Sequence, residues 1–278
     1  MKYGTTVSPY TFMWGDKDFE NLTEIGFLYG DYNLSNTEDI LYKLDEIELK
    51  KAVLIEKDKA HKSGFTIWQT HGPWRWPSKD FSNEDIAERF EKMSKSLYIT
   101  HLLGAKLWVI HPIMPFGVDE KNTETATLTR QKNLDFFSRL LPIAKKYGIT
   151  ICLENMPFTN FSLSTPSEIL SLVKEINDDN FKICFDTGHA AIFSGSAIGD
   201  DVRHLGNYIK ALHVHDNDGK QDFHQIPYFG IIDFFDFKKA LCEIEFDGVF
   251  SLETAAPTSL PKDLFYDMSK LIFETIKR

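Results

Sequence analysis

From Ser82 onward the apolar positions alternate between two rhythms. In SNEDIAERFEKMSKSLYITHLLGAK, Ile86, Phe90, Met93 and Leu97 recur at helical spacing, and the apolar run LWVIHP follows. TRQKNLDFFSRLLPIAKKYG repeats the unit, with Leu134, Phe137, Leu140 and Leu141 on one face, and leads into ITICLEN. Thr165, Pro166, Ser167 and Glu168 form a capping box with Pro at the first helical position; SEILSLVKEIN and then FKICFDTGH follow. YIKALHVHD comes next, and after KKALCEIEFDG the run VFSLET. GFLYGDYNL and the residues before it read as irregular, with a short first helix.

Near-continuous apolar strands alternating with helices predict a parallel sheet covered on both faces. Each strand that can be placed ends in a polar residue: His71 after FTIWQT, then His111, Glu154, Asp186, His213 and Glu253. Six strands delivering a histidine or carboxylate at the same end predict a single (β/α)8 TIM barrel over residues 1–278, with its site at the C-terminal mouth. An open doubly wound sheet would usually show a Gly-rich phosphate turn after its first strand, and MKYGTTVSPYTF has none.

Bulk properties agree. The 278 residues suit one barrel, and 42% apolar with 26% charged residues is ordinary for a globular chain. A net charge of -10 disfavours general nucleic-acid binding, because phosphate contact rests on Lys and Arg. Cys152, Cys184 and Cys242 show neither metal nor disulfide spacing, and the first two sit in apolar runs as buried reduced thiols. No apolar stretch approaches a membrane span, so the expectation is a soluble, cytoplasmic protein.

The chemistry concentrates at the strand ends. Glu154, Asp186, Asp222 and Glu253 are expected at one mouth, where two like charges about 5 Å apart repel by roughly 3 kcal/mol at an effective dielectric of 20. Interleaved histidines make divalent cations the best counterweight, since neutral imidazole and carboxylate are their ligands. FDTGH folds His189 back towards Asp186 across a Gly-containing turn. Strand alternation puts His213 and His215 on one face with Val214 opposite, and Asp222 and His224 form a second pair on the following loop. Asp216-Asn217-Asp218-Gly219 is not a calcium loop, because Lys220 stands where a further Asp or Asn is needed. His71 and His111 each precede a Pro-bearing turn, and their common location favours a ligand role. His61, His101 and His204 read as ordinary surface or packing residues. Trp74, Trp76, Phe116, Phe158 and Tyr228 follow the strand ends and could wall a pocket.

As a set, THGPW, GAKLWVIHP, ICLEN, FDTGH, ALHVHDNDGKQDFH and GVFSLET resemble the xylose isomerase-like barrel superfamily of sugar isomerases, epimerases and endonuclease IV-type nucleases. The resemblance runs from about His71 to Glu253. It implies an eight-stranded barrel and a divalent metal held by Glu154, Asp186, His213 and Glu253, with the two glutamates as acid and base in the epimerases. The nuclease branch holds three zinc ions, and its additional ligands would fall on His71, His111, His189, Asp222 and His224, all present. The chain departs from both branches. Gly219 and Lys220 occupy the region where epimerases commonly carry an Arg, and no Arg-rich loop lies early in the chain, Arg75 being the only Arg near a strand end there.

The expectation is therefore a metal-dependent isomerase or epimerase acting on a small polyol, sugar or sugar phosphate. Zinc or manganese stands first, magnesium or cobalt is admitted, and one to three ions are bound. Glu154 and Glu253 would move the proton, with His189, His215, Lys220 and Trp74 at the substrate. The alternatives are an endonuclease IV-like zinc phosphodiesterase, a related lyase or dehydratase, and a non-catalytic sugar-binding barrel. Nucleic acid is a disfavoured partner, no membrane is expected, and oligomer formation is open.

Overall fold

Eight strands lie side by side in the order β7-β6-β5-β4-β3-β2-β1-β8, every ladder parallel. The computed structural model describes residues 1–74, 80–120 and 123–278. The strands are β1 (Lys2–Thr6), β2 (Tyr29–Asn33), β3 (Thr66–His71), β4 (Leu107–Ile110), β5 (Thr150–Glu154), β6 (Phe181–Asp186), β7 (Ile209–His213) and β8 (Val249–Leu252). The helices are α1 (Ser8–Trp14), α2 (Asp18–Ile25), α3 (Glu46–Lys62), α4 (Asn83–Leu103), α5 (Thr123–Tyr147), α6 (Pro166–Ile176), α7 (Thr187–Ser194), α8 (Ile198–Leu205), α9 (Phe234–Glu243) and α10 (Lys262–Ile276). The barrel closes between β7 and β8 through one parallel bridge, Val214 with Leu252. This is a TIM barrel.

Local chemistry explains the helix boundaries. Ser82 and Asp85 cap α4 reciprocally, and Gly104 ends it in the left-handed region at φ 92°. Thr165 and Glu168 form the same box on α6, with Pro166 at its start.

Period-two alternation divides each strand between two environments. In β5, Ile151 and Leu153 join the large core beneath the helices, whereas Cys152 lies in a small separate cluster with Val109, Cys184 and Ala211. Small side chains thus floor the inner face, and two residues further along the strands come Glu154, Asp186 and His213. Burial pushes the Cys152 thiol up to about 12, so it stays neutral in that floor. Cys152 and Cys184 are buried and free as expected, and Cys242 is free and exposed. Among the described residues, no helix is long and apolar enough to cross a membrane.

The first third departs from the sequence expectation. GFLYGDYNL contains β2, paired in parallel with β1 and β3. Its YGDYN composition hides it, because Gly30 has no side chain and Asp31 is a buried carboxylate. Both features have structural reasons. A Cβ at Gly30 would fall on the Phe65 ring and Val7, and Asp31 faces the polar interior. The first helix is short, as read: α1 has 7 residues and α2 a further 8.

Candidate metal centre

His71, Glu154, Asp186 and His213 are the last residues of β3, β5, β6 and β7, and His111 and Glu253 lie one past β4 and β8. Barrel closure converges all six. Glu154, Asp186, His213 and Glu253 offer donor atoms that all lie within 4.8 Å of one another. His213 is central: its Nδ1 is 2.9 Å from Glu154 Oε1 and 3.3 Å from Glu253 Oε2.

Two further groups flank this quartet. On one side, His71 Nε2 is 3.2 Å from His111 Nε2, and these atoms lie 3.6 and 3.1 Å from Glu154 Oε2. On the other, His189, His215, Asp222 and His224 bring one donor each to within 4.8 Å of the rest. Asp222 Oδ2 is 3.1 Å from His189 Nε2 and 3.2 Å from His224 Nε2. His215 Nε2 meets Asp186 Oδ2 at 3.0 Å.

The backbone aims several of these rings. Nδ1 of His71 lies 2.9 Å from Gly72 O, that of His189 2.8 Å from Asn155 O, and that of His224 2.9 Å from Glu253 O. A carbonyl only accepts, so Nδ1 carries a proton in each of these rings and Nε2 is the atom turned to the site. Asn155 also exchanges two hydrogen bonds with the Asp186 backbone, at 2.9 and 3.0 Å. Asp186 in turn caps α7 by accepting from the His189 N–H at 2.7 Å.

The electrostatics reflect this crowding. Burial would keep Glu154 protonated, yet the His213 and His111 rings hold its carboxyl well below the usual range. Burial also opposes charge on His189 and His224, but Asp186 and Asp222 for the first, and Asp222 and Glu253 for the second, lift each to about 10. His111 goes the other way: burial drops it to about 4 against the pull of Glu154. Burial raises Glu253, with Glu154 and Asp186 adding to the effect of the low-dielectric site.

The donor set fits divalent cations. Glu154 Oε2, Glu253 Oε2, His111 Nδ1 and His215 Nδ1 are buried without a hydrogen-bond partner. Lone pairs of His71 and the Glu154 carboxylate converge at short range, which is repulsive until a proton or cation stands among them. Closely set carboxylate and imidazole donors with backbone-anchored outer nitrogens have the form of a metal site with its orienting shell.

Above the donors lies a cavity of about 340 Å³, walled by Trp74, Met156 and Phe158 and floored by His71, His111, Glu154, His189, Asp222, His224 and Glu253. A larger groove of about 680 Å³ runs between α1 and α3, and among the described residues lining it there is no histidine and none of these carboxylates. Of the residues expected at the substrate, Trp74 and His189 line the 340 Å³ cavity. His215 does not, because it is fully buried behind Asp186 and belongs to the donor group instead. Lys220 is exposed and lies off the cavity wall, in a turn where its N–H and that of Gln221 donate to Asp218 Oδ1. Phe158 lines the cavity, whereas Phe116 and Tyr228 do not. Arg75 and Trp76 lie outside the described residues. Sequence reading missed Asp31, Gln69 and Asn155; only Asn155, directly after Glu154 in ICLEN, stood in a motif already singled out.

A family model described as a xylose isomerase-like TIM barrel aligns with residues 20–271. The chain belongs to the xylose isomerase-like TIM-barrel family. Protein MJ1311 of Methanocaldococcus jannaschii is 32% identical over 184 residues, 64% of this chain and 62% of the relative. D-psicose 3-epimerase of Ruminiclostridium cellulolyticum is 27% identical over 201 residues, 70% of this chain and 65% of the enzyme. The matches thus span just under two thirds of either relative's length. Among solved structures of this barrel type, a D-tagatose 3-epimerase-like protein superposes with a TM-score of 0.75 at 25% identity, covering 100% of this chain and 98% of that one.

Proposed function

We propose that this member of the family is a divalent-metal-dependent isomerase or epimerase of a small sugar, polyol or sugar phosphate. The observation that carries the reading is the convergence of Glu154 and Glu253, from the ends of β5 and β8, on His213 Nδ1 beneath a cavity of about 340 Å³. Glu154, Asp186, His213 and Glu253 would hold the principal cation. When bound, the cation supplies Lewis acidity to a substrate carbonyl and its neighbouring hydroxyl, which acidifies the carbon between them. One glutamate removes the proton from that carbon, and the other returns one from the far side. His189, its Nδ1 held at Asn155 O, offers Nε2 to a substrate oxygen. Trp74, Met156 and Phe158 shield the reacting carbon from bulk water. The D-psicose 3-epimerase among the relatives supports this chemistry.

The test is solvent exchange. In D2O, the Mn2+- or Zn2+-loaded protein should incorporate deuterium at C3 of D-psicose or D-tagatose or of a related ketose, and Glu154→Gln and Glu253→Gln should abolish it. Exchange at parental rates in both variants would overturn the proton-transfer scheme.

The two flanking groups favour a second reading, an endonuclease IV-like phosphodiesterase. His71, His111 and Glu154 on one side, and His189, Asp222 and His224 on the other, could hold two further cations next to the first. Clustered cations supply an activated water and neutralise a leaving oxygen. Metal counting separates the readings: two or three equivalents with cleavage of an abasic-site duplex support the hydrolase, and one equivalent without cleavage removes it.

A further inference from the structure

Asp31 is the one carboxylate at the centre of the barrel that sequence reading did not find, and none of the three donor groups includes it. It sits on β2, is 4% exposed, and reaches across the barrel interior to β7. Its Oδ2 lies 2.8 Å from His213 Nε2 and accepts from Gln69 Nε2 at 2.8 Å. Gln69 is itself steadied by Leu212 O at 3.3 Å, one residue before His213.

A local irregularity makes this contact. The β2–β3 register shifts between Gly30 and Asp31, so that Gly30 pairs with Ile67 but Asp31 with Gln69. Such a bulge re-aims the side chain that follows it. Here it places Asp31 beside Gln69 and under His213.

The bond decides how His213 presents itself. An ionised carboxylate only accepts, so Nε2 carries the proton that faces Asp31, and the lone pair of the neutral ring is on Nδ1. Nδ1 is the atom that faces Glu154 and Glu253. We propose that Asp31 is a positioning residue which holds His213 by its Nε2–H and aims Nδ1 at the principal cation, an assignment that rests on the metal-site reading above. Metal-bound histidines generally donate their outer N–H to such a partner, and losing that partner weakens binding by about 10–100-fold.

Asp31→Asn and Asp31→Ala test the assignment, with His213→Ala as the reference. The metal-free proteins are titrated with Zn2+ against a competing chelator, and bound equivalents and dissociation constants are read together with the thermal midpoints of the metal-free forms. His213→Ala should lose one equivalent. In the Asp31 variants that same equivalent should weaken, by about 10-fold for Asn, which keeps an acceptor in place, and about 100-fold for Ala. A merely structural role would lower the metal-free midpoint and leave Zn2+ affinity unchanged, and that result would overturn the proposal. If the Ala variant does not fold, the near-isosteric Asn variant decides by the same criterion. Should His213→Ala itself keep every equivalent at parental affinity, the metal-site reading fails and takes the Asp31 assignment with it. Loss in His213→Ala with Asp31 variants within twofold of the parent overturns the Asp31 assignment alone.

Discussion

His215 and His224 stack face to face, ring centroids 4.0 Å apart and planes 13° from parallel. His215 is sealed from behind by Gly188, where an added Cβ would fall on the imidazole. The glycine of FDTGH is therefore a space requirement for a ring at the neighbouring strand end. Gly188→Ala should displace His215, destabilise the fold by about 1–3 kcal/mol as overpacking does, and reduce Zn2+ held by the His189–His215–Asp222–His224 group. Thermal unfolding and metal content of the reloaded protein check both effects.

Glu154 contributes to two donor groups, the quartet and the His71 group, whereas Glu253 contributes to the quartet alone. Glu154→Gln should therefore cost more bound metal than Glu253→Gln, by about one equivalent if the His71 group is loaded. Elemental analysis after stripping and reloading with Zn2+ measures the difference. Equal losses would show that the His71 group holds no cation of its own.

Chelation should cost stability. A cation that binds only the folded chain contributes about 2.7 kcal/mol at a hundredfold excess over its dissociation constant. For a chain of this size that corresponds to roughly 5–10 °C in the thermal midpoint, reversed by adding the ion back. Differential scanning calorimetry with and without chelator reads it directly.

Asp216 organises the loop that carries Asp222 and His224. Its carboxylate accepts from the N–H groups of Asn217, Tyr228, Gly230 and Ile232, at 2.9, 3.1, 2.8 and 3.2 Å. Asp216→Asn removes the charge behind these bonds and should cost about 2–3 kcal/mol, given the strength of hydrogen bonds to ionised groups. Zn2+ held by the His189–His215–Asp222–His224 group should weaken as the loop loosens, while the quartet keeps its ion. Equilibrium denaturation and metal titration separate the two consequences.

The convergence of donors at the barrel mouth was legible because barrel strands are written in a consistent grammar. Apolar residues face the helices, and the polar donor arrives where the strand ends, so LEN, FDTGH and LHVHD each show one at the mouth. Asp31 escaped that grammar. It lies inside a strand with a glycine before it, and its value comes from contact with a residue 182 positions away. His215 read as a strand residue but lies two positions past β7, where loop curvature carries His224 over its ring. Lys220 looked like a substrate contact only by its neighbours in sequence; the Asp218 turn leaves it outside the cavity.

The seam of the barrel gives the site a mechanical meaning. β7 and β8 are held by the single bridge at Val214, through Val214 N–H to Ser251 O at 2.8 Å and Glu253 N–H to Val214 O at 3.0 Å. His213 precedes that bridge on one margin and Glu253 follows it on the other. An ion shared by these two side chains would rivet together the margins that the backbone joins most thinly. Closing the cylinder and building the reactive centre would then be one event, with the open ring inactive and the sealed ring competent.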